Sequence, residues 1–186
     1  MKNLFTLSFL LCLFAQESCV SQDTISKPPS TRLHISKERS DSLATHIPQA
    51  RGLINDYAKL FTENQIRVLD SLVRAYEKMT TVEIVVATVD STMVTDQDFE
   101  DYSLVMLRIW GVGKKEKNNG ILIVISPDFR KMRIQNGYGI EKVLSDAETK
   151  QIIDSFFIPK FKDAKFFEGT RDGIIAITNK LKKNGL

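Results

Sequence analysis

Cysteine and histidine are scarce in this 186-residue chain, and their positions matter more than their number. Cys12, Cys19, His34 and His46 all lie within the first 50 residues. From residue 50 onward a disulfide framework, a thiolate zinc site and a cysteine nucleophile are therefore excluded. So are a Ser-His-Asp triad and a histidine-built metal site. Any metal held there must use oxygen ligands, which favours calcium or magnesium. A dominant charge is also lacking. Residues 51–186 carry 21 basic and 19 acidic side chains, a net charge of +2, too weak and scattered to argue for nucleic-acid binding. Long apolar runs are missing too. The one run of note, Leu4 to Ala15, is about twelve residues, too short to cross a bilayer as a stable helix, so the mature protein is not expected to be an integral membrane protein.

What is present begins with a leader. Lys2 supplies a positive start and Leu4–Ala15 an apolar core, the pattern of an export signal over residues 1–21. Two cleavages fit. Ser18-Cys19 resembles the end of a bacterial lipobox, which would make Cys19 the lipid-modified N-terminus, although Gln16 and Glu17 stand where apolar and small residues are usual. Ordinary cleavage after Ser21 is the alternative, giving a soluble periplasmic or secreted protein. Residues 22–49, with Pro28-Pro29, Pro48 and few apolar side chains, read as a disordered spacer, with at most a weak helical pattern over Lys37–Thr45.

Residues 50–186 read as one domain, long enough to bury a core without staples. Thr62 and Gln65 form a capping box and Phe61 and Ile66 a hydrophobic staple. They open a helix whose apolar stripe is Ile66, Leu69, Val73, Tyr76 and Met79. Val82–Val89 is a strand buried on both faces. A second helix over about 98–110 has the stripe Phe99, Tyr102, Met106 and Ile109, with Gly111 beyond its end. After a charged loop, Gly120–Ser126 is the expected sheet centre. Pro127-Asp128-Phe129 turns the chain into an alternating, antiparallel strand over Arg130–Asn136. Ser145 and Glu148 form a second capping box, opening a helix that Pro159 is expected to stop. The last helix runs over about 167–183, with Gly169 and Gly173 on one face. This order predicts an α/β domain, a three-layer α/β/α sandwich on a small mixed sheet.

Four segments stand out for chemistry: Gly52–Ala58 with Asn55 and Asp56, Trp110-Gly111-Val112-Gly113, Asn118-Asn119-Gly120, and Gly137-Tyr138-Gly139-Ile140-Glu141 followed by Asp146. Each has a plain structural reading as well: a turn, a core tryptophan with a flexible loop, a second turn, and glycines in tight backbone. Glu116 stands where a dinucleotide fingerprint needs its third glycine. Helix–strand alternation is expected to bring these segments to one end of the sheet, where ligand sites of open α/β sheets lie. There Asp56, Asn119, Glu141 and Asp146 would offer oxygen to Ca²⁺ or Mg²⁺, with Trp110, Gly111, Gly113, Gly137, Tyr138 and Gly139 as ligand loops.

Taken in order, Asn55-Asp56-Tyr57-Ala58, Trp110-Gly111-Val112-Gly113, Asn119-Gly120, Arg130-Lys131-Met132-Arg133-Ile134, Gly137-Tyr138-Gly139-Ile140-Glu141 and Pro159-Lys160-Phe161 resemble the TPM-domain family over about residues 50–182. The resemblance implies the α/β/α sandwich, export or a lumenal location, acid-phosphatase-like activity in some members and calcium or magnesium binding in others. Activity carries over less well than fold. Two departures matter. Asn118 stands where members often have aspartate, which removes a charge and should weaken cation binding. The chain also lacks the C-terminal membrane helix and glycine-rich tail of many bacterial members, which would leave a lipid on Cys19 as its only anchor.

Three functions follow as expectations. The first is a non-catalytic cation-binding module acting through an envelope or membrane protein partner. The second is a metal-assisted phosphatase, with Asp56 or Glu141 as ligand or base and Arg130 or Arg133 steadying phosphate. The third is a ligand-free stabiliser of an envelope complex.

Overall fold

The computed structural model describes residues 35–186; the leader, Cys19 and the spacer up to residue 34 lie outside the described residues. A four-stranded mixed sheet forms the middle layer. Its strands are β1 (Ile54–Asp56), β2 (Glu83–Thr88), β3 (Gly120–Ser126) and β4 (Lys131–Asn136), in the order β1-β2-β3-β4. The first three are parallel and β4 runs antiparallel to β3. All seven β3 residues are buried, as the continuous apolar run requires of a strand covered on both faces. Ile121, Leu122, Ile123 and Val124 are wholly inaccessible, each side chain contributing about 1.5–3 kcal/mol by leaving water.

The alternation in β4 assigns the layers. Lys131, Arg133 and Gln135 face the layer of α3 (Phe99–Trp110): Lys131 pairs with Asp96 in the loop before the helix, Arg133 with Glu100, and Gln135 Nε2 donates to Ser103 Oγ at 2.8 Å. Asn136 points to the opposite layer and donates to Thr149 Oγ1 at 2.9 Å in α5 (Asp146–Ile152). That layer also holds α2 (Glu63–Thr80) and α7 (Phe166–Lys183). Both predicted capping boxes form, Thr62 with Gln65 and Ser145 with Glu148. Gly169 and Gly173 make room in α7: an added Cβ would lie 2.7 Å from the Phe161 ring and 2.0 Å from the Phe157 ring.

Four expectations change. The 52–58 turn contains edge strand β1, because Val86 N donates to Leu53 O at 2.8 Å and pairing outweighs the poor strand propensity of Asn-Asp. The disordered spacer expected over 22–49 does not extend through its second half. Helix α1 (Lys37–Ala44), capped by Ser36, lies against α3. Arg39 binds Asp98 at 2.8 Å and also Asp101, while Ile35, Leu43 and Ile47 pack on the core. Pro159 does not end its helix. A π-helical turn (Ile153–Phe157) leads into α6 (Ile158–Lys162), and Pro159 falls in its first turn, where no N–H is needed. Finally, Tyr138–Glu141 forms a single helical turn, α4, after Gly137. Among the described residues, no helix is long and apolar enough to cross a membrane.

Candidate functional site

The register places the predicted site residues at two ends of the sheet. Asp56 pairs with Thr88 at the C-terminal ends of β1 and β2. Asn119, by contrast, precedes Gly120, which pairs with Glu83 at the N-terminal end of β2. Gly137 N donates to Gly120 O at 2.8 Å and Gly139 N to Asn118 O at 2.9 Å, so the Trp-Gly loop, the Asn-Asn-Gly turn and the Gly-Tyr-Gly turn do gather at one end. Asp56 does not join them. A single end for all these segments required β1 to be a turn; as a parallel strand, it delivers Asp56 to the far edge.

Asp56 acts there as a buckle. Its Oδ1 accepts from Leu60 N at 2.9 Å and from Thr88 Oγ1 at 2.6 Å, and its Oδ2 accepts from Phe61 N at 2.8 Å. Thr88 in turn accepts from Ala58 N at 3.0 Å. One carboxylate thus joins β1, β2 and the entry to α2. Asn55 closes the preceding turn, accepting from Arg51 N at 2.7 Å and donating to Gly52 O at 2.8 Å. Tyr57 holds the strap before β1: its hydroxyl donates to Gln49 O at 2.6 Å and its ring lies 6.4 Å from that of Trp110. Trp110 Nε1 donates to Pro48 O at 2.8 Å and Tyr102 OH to His46 O at 3.0 Å. Burial pushes the Tyr102 phenol well above its usual range.

The opposite end is a platform built on glycines. A Cβ on Gly113 would lie 2.3 Å from Gly120 N, one on Gly120 2.1 Å from Val112 O, one on Gly137 2.3 Å from Asn118 O and one on Gly139 2.1 Å from Lys117 O. Backbone packs directly on backbone at each of these positions, which only glycine permits. Gly111 ends α3 in the left-handed conformation with φ of 59°. Asn119, buried, ties the loop down: its Oδ1 accepts from Lys114 N at 2.9 Å and its Nδ2 donates to Thr81 O at 2.8 Å. Lys114 Nζ reaches Glu77 at 2.7 Å, and that bond, with the carboxylate's charge, raises the ammonium's pKa.

The four predicted metal ligands therefore do not form one coordination shell. Asp56 is at the wrong end and both its oxygens are engaged, and the side-chain oxygen of Asn119 is engaged as well. Asp146 is exposed at the start of α5, and its side chain makes no hydrogen bond or ion pair among the described residues. Glu141 remains at the platform end in α4. Among the described residues, no three acidic, histidine or cysteine side chains are grouped to hold an ion.

The platform end also exposes Tyr138 and two apolar side chains, Met79 and Ile109, that periodicity assigned to the core. Met79 is 67% exposed, Tyr138 60% and Ile109 50%. Met79 and Ile109 sit in the last turns of α2 and α3, beyond the reach of the sheet, so their stripes run on past the core. The loop that follows α3 exposes Lys114, Lys115, Glu116 and Lys117, with Lys114 paired to Glu77 at 2.7 Å and Lys117 Nζ donating to Thr81 Oγ1 at 2.9 Å. These lysines went unremarked as site residues. Their only signal was a charged loop bounded by glycines.

The model of the TPM domain matches residues 54–180. The chain belongs to the TPM-domain family. The TPM domain also resembles solved structures. The N-terminal domain of a P. gingivalis protein is 33% identical, with a TM-score of 0.64 over 78% of this chain and 90% of that one. A protein of the psychrophilic bacterium Bizionia argentinensis is 23% identical, with a TM-score of 0.59 over 67% and 83%. The N-terminal domain of a Corynebacterium glutamicum protein is 13% identical, with a TM-score of 0.52 over 71% and 82%. The last two carry the fold alone. No curated protein matches the chain. In this TPM domain the Asn-Asp-x-Ala, Trp-Gly-x-Gly and Gly-Tyr-Gly motifs are all engaged in holding the fold.

Proposed function

We propose that this TPM domain is a non-catalytic interaction module of the cell envelope, one that docks an acidic surface of a protein partner against the platform end of its sheet. The observation that carries this reading is the exposure of Met79, Ile109 and Tyr138 at the end of the sheet where the 114–117 loop exposes Lys115 and Lys117, neither in an ion pair among the described residues. Exposed apolar anchors beside charge form a recognition surface, because the apolar groups supply affinity and the charge selects the partner. The glycine contacts beneath keep the loop rigid, so little ordering entropy is lost on binding. Delivery to the envelope rests on the leader, through a lipid on Cys19 or as a soluble protein. The reading gives a divalent cation no step, because Asp56 and Asn119 have their oxygens engaged at opposite ends. It gives phosphoryl transfer none either: Asp56 holds Leu60 N, Phe61 N and Thr88 Oγ1, Arg133 is paired with Glu100, and Glu141 lies at the platform end whereas Arg130 lies in the β3–β4 turn at the other.

A photo-crosslinking amino acid at Tyr138 or at Val68, which is exposed on the first half of α2, tests the reading in cells. Crosslinks to an envelope protein are expected from position 138, are absent from position 68, and disappear when Lys115→Glu and Lys117→Glu are added. Equal yields from both positions would sink the docking face. Release of phosphate from an aryl phosphate by the purified chain, abolished in a folded Asp56→Ala variant, would replace this reading with catalysis.

A further inference from the structure

The end of the sheet away from the platform carries a feature that the docking face does not use, bordered by Arg130 and Phe161 from two of the family motifs. A cleft of about 530 Å³ opens between the β3–β4 turn and the α6–α7 corner, within the size range of small-ligand sites. Pro127 and Arg130 form one wall, Ile158, Phe161 and Phe166 the other, and Lys162 borders it. No aspartate or glutamate lines it. Lys131 also borders it but is paired with Asp96 at 2.8 Å. Arg130 and Lys162 have no side-chain hydrogen bond or ion pair among the described residues.

The aromatic wall is fixed in place. The Phe161 and Phe166 ring centroids are 5.1 Å apart, and Phe157 backs Phe161 at 5.8 Å. Gly169 and Gly173 leave the space in which the Phe161 and Phe157 rings sit. Two further positions are held in a conformation that glycine would adopt without strain. Arg130 closes the hairpin turn with φ of 52°, and Ala164 follows α6 with φ of 57°. Ala164 and Lys165 make the paired bonds of a Schellman end, to Phe161 O at 3.0 Å and Lys160 O at 2.9 Å, where glycine is the usual residue. Arg130 and Ala164 both line the cleft.

We infer that this cleft binds an amphiphilic organic anion, its carboxylate or phosphate head held by Arg130 and Lys162 and its aryl or short acyl body against Phe161, Phe166 and Ile158. The guanidinium is planar and presents paired donors that match either head. The apolar wall excludes competing water and so strengthens that contact.

The test is a titration of the full chain with octanoate and with phenyl phosphate, followed by amide NMR, with octan-1-ol and inorganic phosphate as controls. Saturable shifts are expected at Ile125, Arg130, Phe161 and Phe166 for at least one of the two anions, and weaker ones for both controls. Arg130→Gly should bind that anion about tenfold or more weakly, the loss of one charge-assisted contact. It should fold at least as stably, because glycine suits its φ, so misfolding cannot mimic the loss. Lys162→Gln should weaken binding independently. No saturable shift with either anion up to about 10 mM, a range that captures even weak complexes, overturns the inference. So does equal binding by Arg130→Gly, or octan-1-ol binding as tightly as octanoate. None of these outcomes touches the crosslinking test at the other end of the sheet.

Discussion

Replacing Asp56 with alanine separates a structural carboxylate from a metal ligand. The substitution removes the acceptor for Leu60 N, Phe61 N and Thr88 Oγ1. A hydrogen bond to a charged group contributes about 1.5–3 kcal/mol, so the two backbone bonds together give about 3–6 kcal/mol at most. Leu60 and Asp56 are only half-buried, and the freed Leu60 amide can bind water, which lowers the loss to about 2 kcal/mol. Thr88 is wholly buried. Its hydroxyl keeps Ala58 N as a donor but loses its acceptor, adding about 1 kcal/mol. The expected destabilisation is about 3 kcal/mol, a fall in Tm of roughly 10 °C for a domain of this size. Urea unfolding followed by Trp110 fluorescence measures it, with and without calcium. Because the buckle needs no metal, the gap between wild type and variant should be the same in both. A gap below about 0.5 kcal/mol, the scale of ordinary surface changes, would refute the buckle. So would a wild type that calcium stabilises while the variant does not respond.

Three further outcomes follow from the packing and electrostatics. Gly173→Ala places a Cβ 2.0 Å from the Phe157 ring and should destabilise by about 2 kcal/mol in thermal unfolding, whereas Gly52→Ala, with open space around it, should be neutral or slightly stabilising. A chain beginning at residue 50 loses the acceptors of Tyr57, Tyr102 and Trp110. It should be less stable by at least about 3 kcal/mol, at about 1 kcal/mol per bond, with the lost packing of Ile35, Leu43 and Ile47 adding to it, and emission from the single tryptophan should shift to the red. Glu148 is held down to about 2 from an ordinary 4.5, first by the hydrogen bond from Lys180 and then by the Ser145 amide and hydroxyl. A depressed carboxylate stabilises the fold above its unfolded pKa, and that contribution is lost as pH falls through the folded value. Glu148→Gln should therefore be less stable than wild type near neutrality, and urea midpoints should show the difference closing as pH falls from 4.5 towards 2.

The elements legible in the sequence are those governed by near neighbours. The capping boxes at Thr62 and Ser145, the apolar run of β3 and the alternation of β4 each carry their signal within a few residues. Together with the ordered motifs, they were enough to give the TPM domain and its α/β/α sandwich. Edge strand β1 was not legible, because Asn-Asp reads as a turn until β2 supplies partners for its backbone. Helix α1 showed only as a weak helical pattern over Lys37–Thr45, because none of its side chains is fully buried and its place depends on Asp98 and Asp101 about sixty residues away. Periodicity also misassigned Met79 and Ile109. A stripe records only which face of a helix a residue is on; how far the sheet extends beneath that face depends on strand length and register. The same holds for the proposed sites. Composition by itself restricted the domain to oxygen ligands and excluded thiol and imidazole chemistry. Whether Asp56 meets Asn119, and whether Arg130 faces Phe161, is decided only when parallel pairing sets the ends of the sheet, since those contacts join residues far apart in the chain.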